Sequence, residues 1–158
     1  MSPLRTMILV LLLLSSGMAL PLPSSVTECL ARHPEVMLNK LQKPPYLRVS
    51  FTTSGLPDYV VAVKERESKL NRALVCMHDG KDVLLGAATD KQPFSDMKND
   101  NYMSSRWRVC TTKQVAALRE YYKDVPDPVN ESVCLLWEDA EAVIYWNGRQ
   151  FRWKSLVP

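Results

Sequence analysis

The chain has 158 residues, with 20 Lys and Arg against 17 Asp and Glu, and 46% of it is apolar. So small a charge excess argues against nucleic acid or an anionic membrane as the partner, because either requires a concentrated basic stripe. Five glycines in the whole chain leave little room for a phosphate-cradling loop.

At the N-terminus Arg5 precedes an unbroken apolar run from Met7 to Leu14, followed by Ser15, Ser16, Gly17, Met18 and Ala19. The run is too short to span a bilayer, and Gly17 and Ala19 supply small residues for cleavage. Residues 1–19 are therefore predicted to be a secretory signal peptide. Residues 20–158 are predicted to be a single α+β domain, secreted or periplasmic, with no stable membrane anchor. Loss of Arg5 with the leader leaves Lys and Arg only two ahead of Asp and Glu.

The exported part carries Cys29, Cys76, Cys110 and Cys134. An even count in an oxidising compartment implies two disulfides, with three connectivities open; sequential pairing closes the shorter loops. C-x-x-C spacing is missing and only His33 and His78 are available to join the thiols, so neither a metal nor another cofactor is expected.

Ser25 and Glu28 have capping-box spacing ahead of Val26, Cys29, Leu30 and His33, which share one helical face until Pro34. Residues 35–41 read as a second helical piece, ended by Pro44 and Pro45. From Tyr46 the pattern turns to strands at 47–53, 59–64, 73–77 and 83–87, punctuated by Ser54-Gly55-Leu56-Pro57 and Asp79-Gly80. This predicts an antiparallel meander. Residues 89–105 read as a long polar loop with one helical turn near Phe94 to Met97. A strand at 106–110 leads to Thr111 and Gln114, again with capping-box spacing, before Val115, Leu118 and Tyr122 at helical intervals. Asn130-Glu131-Ser132 fits the N-glycosylation pattern, which matters only if the source is a eukaryote. A strand at 133–137 then reaches a final hairpin through Glu138 and Asp139.

That hairpin runs from Ala142 to Lys154 around Asn147-Gly148, a dipeptide suited to a two-residue type I′ turn. The resulting register pairs Trp146 with Arg149, Ile144 with Phe151 and Ala142 with Trp153, and these six share the face expected to be buried. Val143, Tyr145, Gln150, Arg152 and Lys154 share the other. An isolated hairpin is marginal in water, so it is expected to extend a larger sheet formed upstream.

The segment Ser50-Phe-Thr-Thr-Ser-Gly-Leu-Pro-Asp-Tyr59 resembles the calcium-loop segment of FG-GAP-like (integrin-α-type) repeats and of secreted bacterial proteins that share it. The family run has carboxylates converging on one cation ahead of a strand. Gly55 and Asp58 match it, whereas Ser50, Thr52 and Ser54 replace acidic ligands with neutral hydroxyls, weak donors for a hard cation. The resemblance thus implies a turn and a fold rather than a bound metal or an activity. The same residues also read as a Ser/Thr-rich turn with Gly55 in the left-handed region.

A hydrolase needs a nucleophile, a base and an orienting group in one cleft. His33 sits at a helix end before a proline, and His78 sits beside Asp79-Gly80; His78 with Asp79 or Asp82 is the one catalytic grouping the sequence offers. G-x-S-x-G and H-E-x-x-H are both missing. Trp107, Trp137, Trp146 and Trp153 fall on or beside strands with Phe151 and are expected to build the core. The sharper alternative places Trp146 and Arg149 at the hairpin tip as partner contacts, flanked by Tyr145 and Arg152, because Trp, Tyr and Arg dominate interface hot spots. Arg106, Arg108, Arg149, Arg152 and Lys154 read as a solvated sheet face. The sequence therefore favours a non-catalytic binding module of the inhibitor or immunity type, acting on an envelope or secreted protein, over a small hydrolase.

Overall fold

The computed structural model describes residues 21–85, 106–136 and 141–156. The leader, the polar loop with its expected helical turn, and Trp137, Glu138 and Asp139 lie outside the described residues. The described chain is α+β, with antiparallel meanders, two α-helices and a C-terminal hairpin.

Helix α1 (Ser24–Arg32) is followed by strands β1 (Val36–Leu38), β2 (Tyr46–Val49), β3 (Asp58–Glu65), β4 (Asn71–Cys76) and β5 (Val83–Leu85). Strands β1 and β2 both pair with β3, which pairs with β4 and then β5, all antiparallel. The second half holds β6 (Arg106–Cys110), α2 (Thr112–Ala117) continuing as a 3₁₀ turn (Leu118–Glu120), β7 (Ser132–Leu136), β8 (Glu141–Trp146) and β9 (Phe151–Leu156). These strands form a separate sheet in the order β6-β7-β8-β9. The hairpin thus completes a second meander instead of extending the first.

Alternation along the strands explains the layering. Val60, Ala62, Ala73 and Val75 face Val133, Leu135, Ala142 and Ile144 of the other sheet, with Phe51 and Phe151 meeting edge to face at 4.9 Å. The alternate residues Val61, Val63, Leu74 and Cys76 are equally buried, because α1 lays Val26 and Cys29 over them. On the far side Val115 of α2 and Val125 cover Cys110, Cys134, Val143 and Leu156. The order is helix, sheet, sheet, helix, and strands covered on both faces read as nearly continuous apolar runs. Trp107 is buried between the sheets, and Trp146 and Trp153 pack partly buried against the same core.

Two disulfides are present, Cys29–Cys76 and Cys110–Cys134, the sequential connectivity. Such bridges are characteristic of chains that fold in an oxidising environment. The first ties α1 to β4; the second joins neighbouring strands at the start of α2.

Several sequence expectations are corrected. Pro23, not Ser25, stands at the N-cap of α1 and supplies no side-chain bond, whereas Thr111 and Gln114 do form the reciprocal capping box of α2. Residues 35–41 are not helical: 36–38 form β1, since a free edge of β3 offers Val36, Met37 and Leu38 backbone partners that a short isolated helix lacks. The hairpin pairs Trp146 with Phe151, Tyr145 with Arg152 and Ile144 with Trp153, leaving residues 147–150 as a four-residue loop. Of Asn147 and Gly148 only the glycine has positive φ, so a type I′ turn is not formed. Instead Asn147 Oδ1 accepts from the backbone N–H groups of Arg149 and Gln150, each at 3.0 Å. The register differs by two residues, so every paired side chain keeps its expected face.

Candidate functional site

The four residues singled out near the hairpin are not gathered on one surface. Trp146 turns inward and meets Phe151 edge-on at 5.0 Å. Tyr145 lies on the opposite face, partly buried against the Val143 and Leu156 cluster beneath α2. Arg152 stands across from it, and Gln150, with its amide oxygen turned to the guanidinium, accepts from Arg152 Nε at 3.0 Å. Of these four residues Arg149 alone is exposed. The backbone O of Trp146 accepts from Val129 N at 3.2 Å, fastening the tip to the loop before β7.

The basic residues read as one solvated face occupy opposite edges of the second sheet, Arg106 and Arg108 on β6 and Arg152 and Lys154 on β9. They lie on the two edge strands rather than forming one stripe.

His78 pairs with neither Asp79 nor Asp82. Its Nδ1 lies 2.8 Å from Asp58 Oδ1, which also accepts from the His78 backbone N–H at 3.0 Å. Asp58 is completely buried, and its Oδ2 has no hydrogen-bond partner among the described residues. Asp79 instead bonds Lys81, whose side-chain and backbone hydrogen bonds hold its carboxyl below the ordinary value. Asp82 accepts from Arg32 Nε at 2.8 Å and lies 3.4 Å from His33 Nε2. His33 Nδ1 meets Glu35 Oε1 at 2.9 Å, and this hydrogen bond, before any other cause, lowers the Glu35 carboxyl. The grouping fastens the C-terminus of α1 to the turn after β4. None of these contacts brings a hydroxyl or thiol nucleophile to an imidazole among the described residues.

In the segment that resembles a calcium loop, the hydroxyls bond locally. Thr52 Oγ1 donates to Ser54 Oγ at 3.0 Å, and Ser54 Oγ accepts from Leu56 N at 3.2 Å. Gly55 has φ +76°, the left-handed conformation the turn requires. Ser50 N donates to Glu131 Oε2 at 2.7 Å, so the loop's first residue is held by the residue just before β7.

The sequence reading missed the loop between β1 and β2. One residue of β3 holds both of its ends: Asn39 N donates to Ala62 O at 2.8 Å, and Ala62 N donates to Pro45 O at 2.9 Å. Between these anchors Asn39 Oδ1 accepts from Leu41 N at 3.1 Å, and Asn39 Nδ2 donates to Asn71 Oδ1 at 3.1 Å. Gln42 is buried, and Pro44 O accepts from the Trp107 indole at 2.9 Å across the sheet boundary. On this fixed frame Leu41 is 88% exposed, with exposed Lys40 and Lys43 on either side. Lysine and proline commonly blunt a sheet edge, which accounts for Lys40, Lys43, Pro44 and Pro45 but not for a leucine at the crest. The one signal of this loop in the sequence is Pro44-Pro45 following Asn39, hidden while residues 35–41 read as a helix.

Comparison with family models, with curated proteins and with solved structures found no match.

Proposed function

We propose that this chain is an exported, non-catalytic protein-binding module of the inhibitor or immunity type, which meets its partner through the crest of the loop 39–45. The observation that carries this reading is Leu41, 88% exposed on a loop whose two ends are bonded to the same residue, Ala62. Burying a leucine side chain in a partner contributes about 1.5–3 kcal/mol. A loop already ordered by Asn39 and Trp107 loses less freedom on docking than a mobile one, so more of that gain appears as affinity. Lys40 and Lys43 favour a partner whose apolar pocket is rimmed by carboxylates and speed the encounter with it.

The test is affinity capture from the chain's own medium or envelope extract with oxidised residues 20–158 as bait. A stoichiometric partner kept by the wild type and by Arg149→Ala, and weakened at least about tenfold by Leu41→Asp, is the expected result. Equal retention by Leu41→Asp would overturn the loop as the contact. Loss confined to a Trp146→Ala/Arg149→Ala double variant would move it to the hairpin tip.

One observation favours a second reading, a small hydrolase: the hydrogen bond of His78 Nδ1 to Asp58 Oδ1 orients the ring and leaves Nε2 for a substrate. That reading requires turnover of an ester or peptide substrate that disappears in His78→Ala while the fold survives.

A further inference from the structure

Among the described residues nothing hydrogen-bonds the Ser132 side chain. The residue opens β7 opposite Cys110 and is completely buried. Leaving a buried hydroxyl unpaired costs free energy, and an alanine would fill this position without that cost. The hydroxyl does have a use before folding, as the third residue of Asn130-Glu131-Ser132, where the glycosyl-transferring enzyme requires Ser or Thr. Asn130 is half-buried on the loop before β7, between the exposed Val129 and the partly buried Glu131. Its Nδ2 donates to Thr52 O at 2.9 Å. A substituted amide keeps one N–H, which leaves a donor for this bond when a sugar is attached. The two disulfides and the leader pattern at residues 1–19 agree with passage through an oxidising secretory compartment.

We infer that Asn130 carries an N-linked glycan, added before Ser132 is buried. In the transfer a bond forms between Asn130 Nδ2 and the anomeric carbon of an oligosaccharide carried on a polyisoprenyl diphosphate. The anomeric C–O bond to the diphosphate breaks, the diphosphate leaves with the bonding pair, and Nδ2 loses one proton; nothing is oxidised or reduced. The glycan leaves from the side of Thr52, beyond one end of β2, whereas Leu41 precedes the other end. The inference does not depend on what the loop 39–45 binds.

The full chain is expressed in a eukaryotic cell line, and both medium and cell lysate are analysed by mass before and after peptide-N-glycanase, which converts a glycosylated Asn to Asp. The expected result is a glycoform whose excess mass is removed by the enzyme, with Asp at position 130 on peptide mapping. It should be absent from Asn130→Gln and Ser132→Ala and retained by Ser132→Thr. Ser132→Ala keeps the Asn130 side-chain bond, and it should melt no lower than the enzymatically deglycosylated parent. Parent protein of unmodified mass in both fractions would overturn the inference. So would a Ser132→Ala variant that melts well below the deglycosylated parent, since the hydroxyl would then serve the fold.

Discussion

In the first sheet the covering helix is bonded covalently to the strand beneath it, through Cys29 of α1 and Cys76 of β4. In the second, Cys110 and Cys134 join neighbouring strands, and α2 lies over the sheet without a covalent tie of its own. The two helices also begin differently. Helix α1 starts at Pro23 with no side-chain cap and ends on the bonds from Arg32 and His33 to Asp82. Helix α2 starts in the capping box of Thr111 and Gln114. Helices of nine and six residues are too short to persist in water, so each needs fastening from outside its own backbone. The first helix is held by long-range links, the second by a local motif and packing.

The sharpest way to break this contrast is to remove the disulfides one at a time. Cys29→Ala/Cys76→Ala should cost about 2–5 kcal/mol by denaturant unfolding and should release α1, seen as lost exchange protection there. Cys110→Ala/Cys134→Ala removes a bridge that closes a loop about half as long and should cost about 0.6 kcal/mol less, with α2 still in place. A larger loss from the second pair would invert the comparison.

Core truncations beneath each helix come next. Leu74→Ala under α1 should cost about 2–5 kcal/mol in thermal unfolding. Val143→Ala under α2 removes less surface and should cost about 2 kcal/mol. Caps separate the helices at a smaller scale: Gln114→Ala should destabilise by about 0.5–1 kcal/mol, read by circular dichroism melts. Ser25→Ala should change nothing beyond about 0.5 kcal/mol, because its hydroxyl does not cap α1.

The smallest effect concerns acid. The Glu35 carboxyl is held below its ordinary value near 4.5, chiefly by the His33 hydrogen bond. A depressed carboxyl contributes stability that is present above its unfolded value and lost as pH falls through its folded value. The Glu35 side chain is more than half exposed, so solvent screening keeps the contribution below about 1 kcal/mol. Glu35→Gln should therefore lower stability near neutrality by less than about 1 kcal/mol and flatten the acid limb slightly, the two profiles converging at low pH.

How much of this was legible in the sequence follows from the range of each interaction. The capping box of α2, the strands at 106–110 and 142–146, and the inward and outward sets of the hairpin depend on neighbours within a few residues, and local pattern states them. The hairpin register was misread because Asn147-Gly148 satisfies a two-residue turn on paper, while the Asn147 side chain closes a four-residue loop instead. Residues 35–41 looked helical because no local signal reveals that β3 will offer an edge to Val36, Met37 and Leu38. Asp58 as the partner of His78, and Asp82 as the partner of Arg32, join residues 20 and 50 apart in sequence. Leu41 was hidden for the same reason, since its loop is defined by Ala62 and Trp107, which only the fold brings near.

Site-resolved amide hydrogen exchange of the free, oxidised protein most directly tests whether Leu41 is presented on a fixed loop. The Asn39 and Ala62 amides, which close the loop, should be protected to the level of the β3 interior. The Leu41 amide should exchange more slowly than its exposed neighbour Lys40, and Asn39→Ala should abolish that difference. Free exchange at Asn39, Leu41 and Ala62 in the wild type would mean a loop that must be ordered by its partner, contradicting a preformed contact.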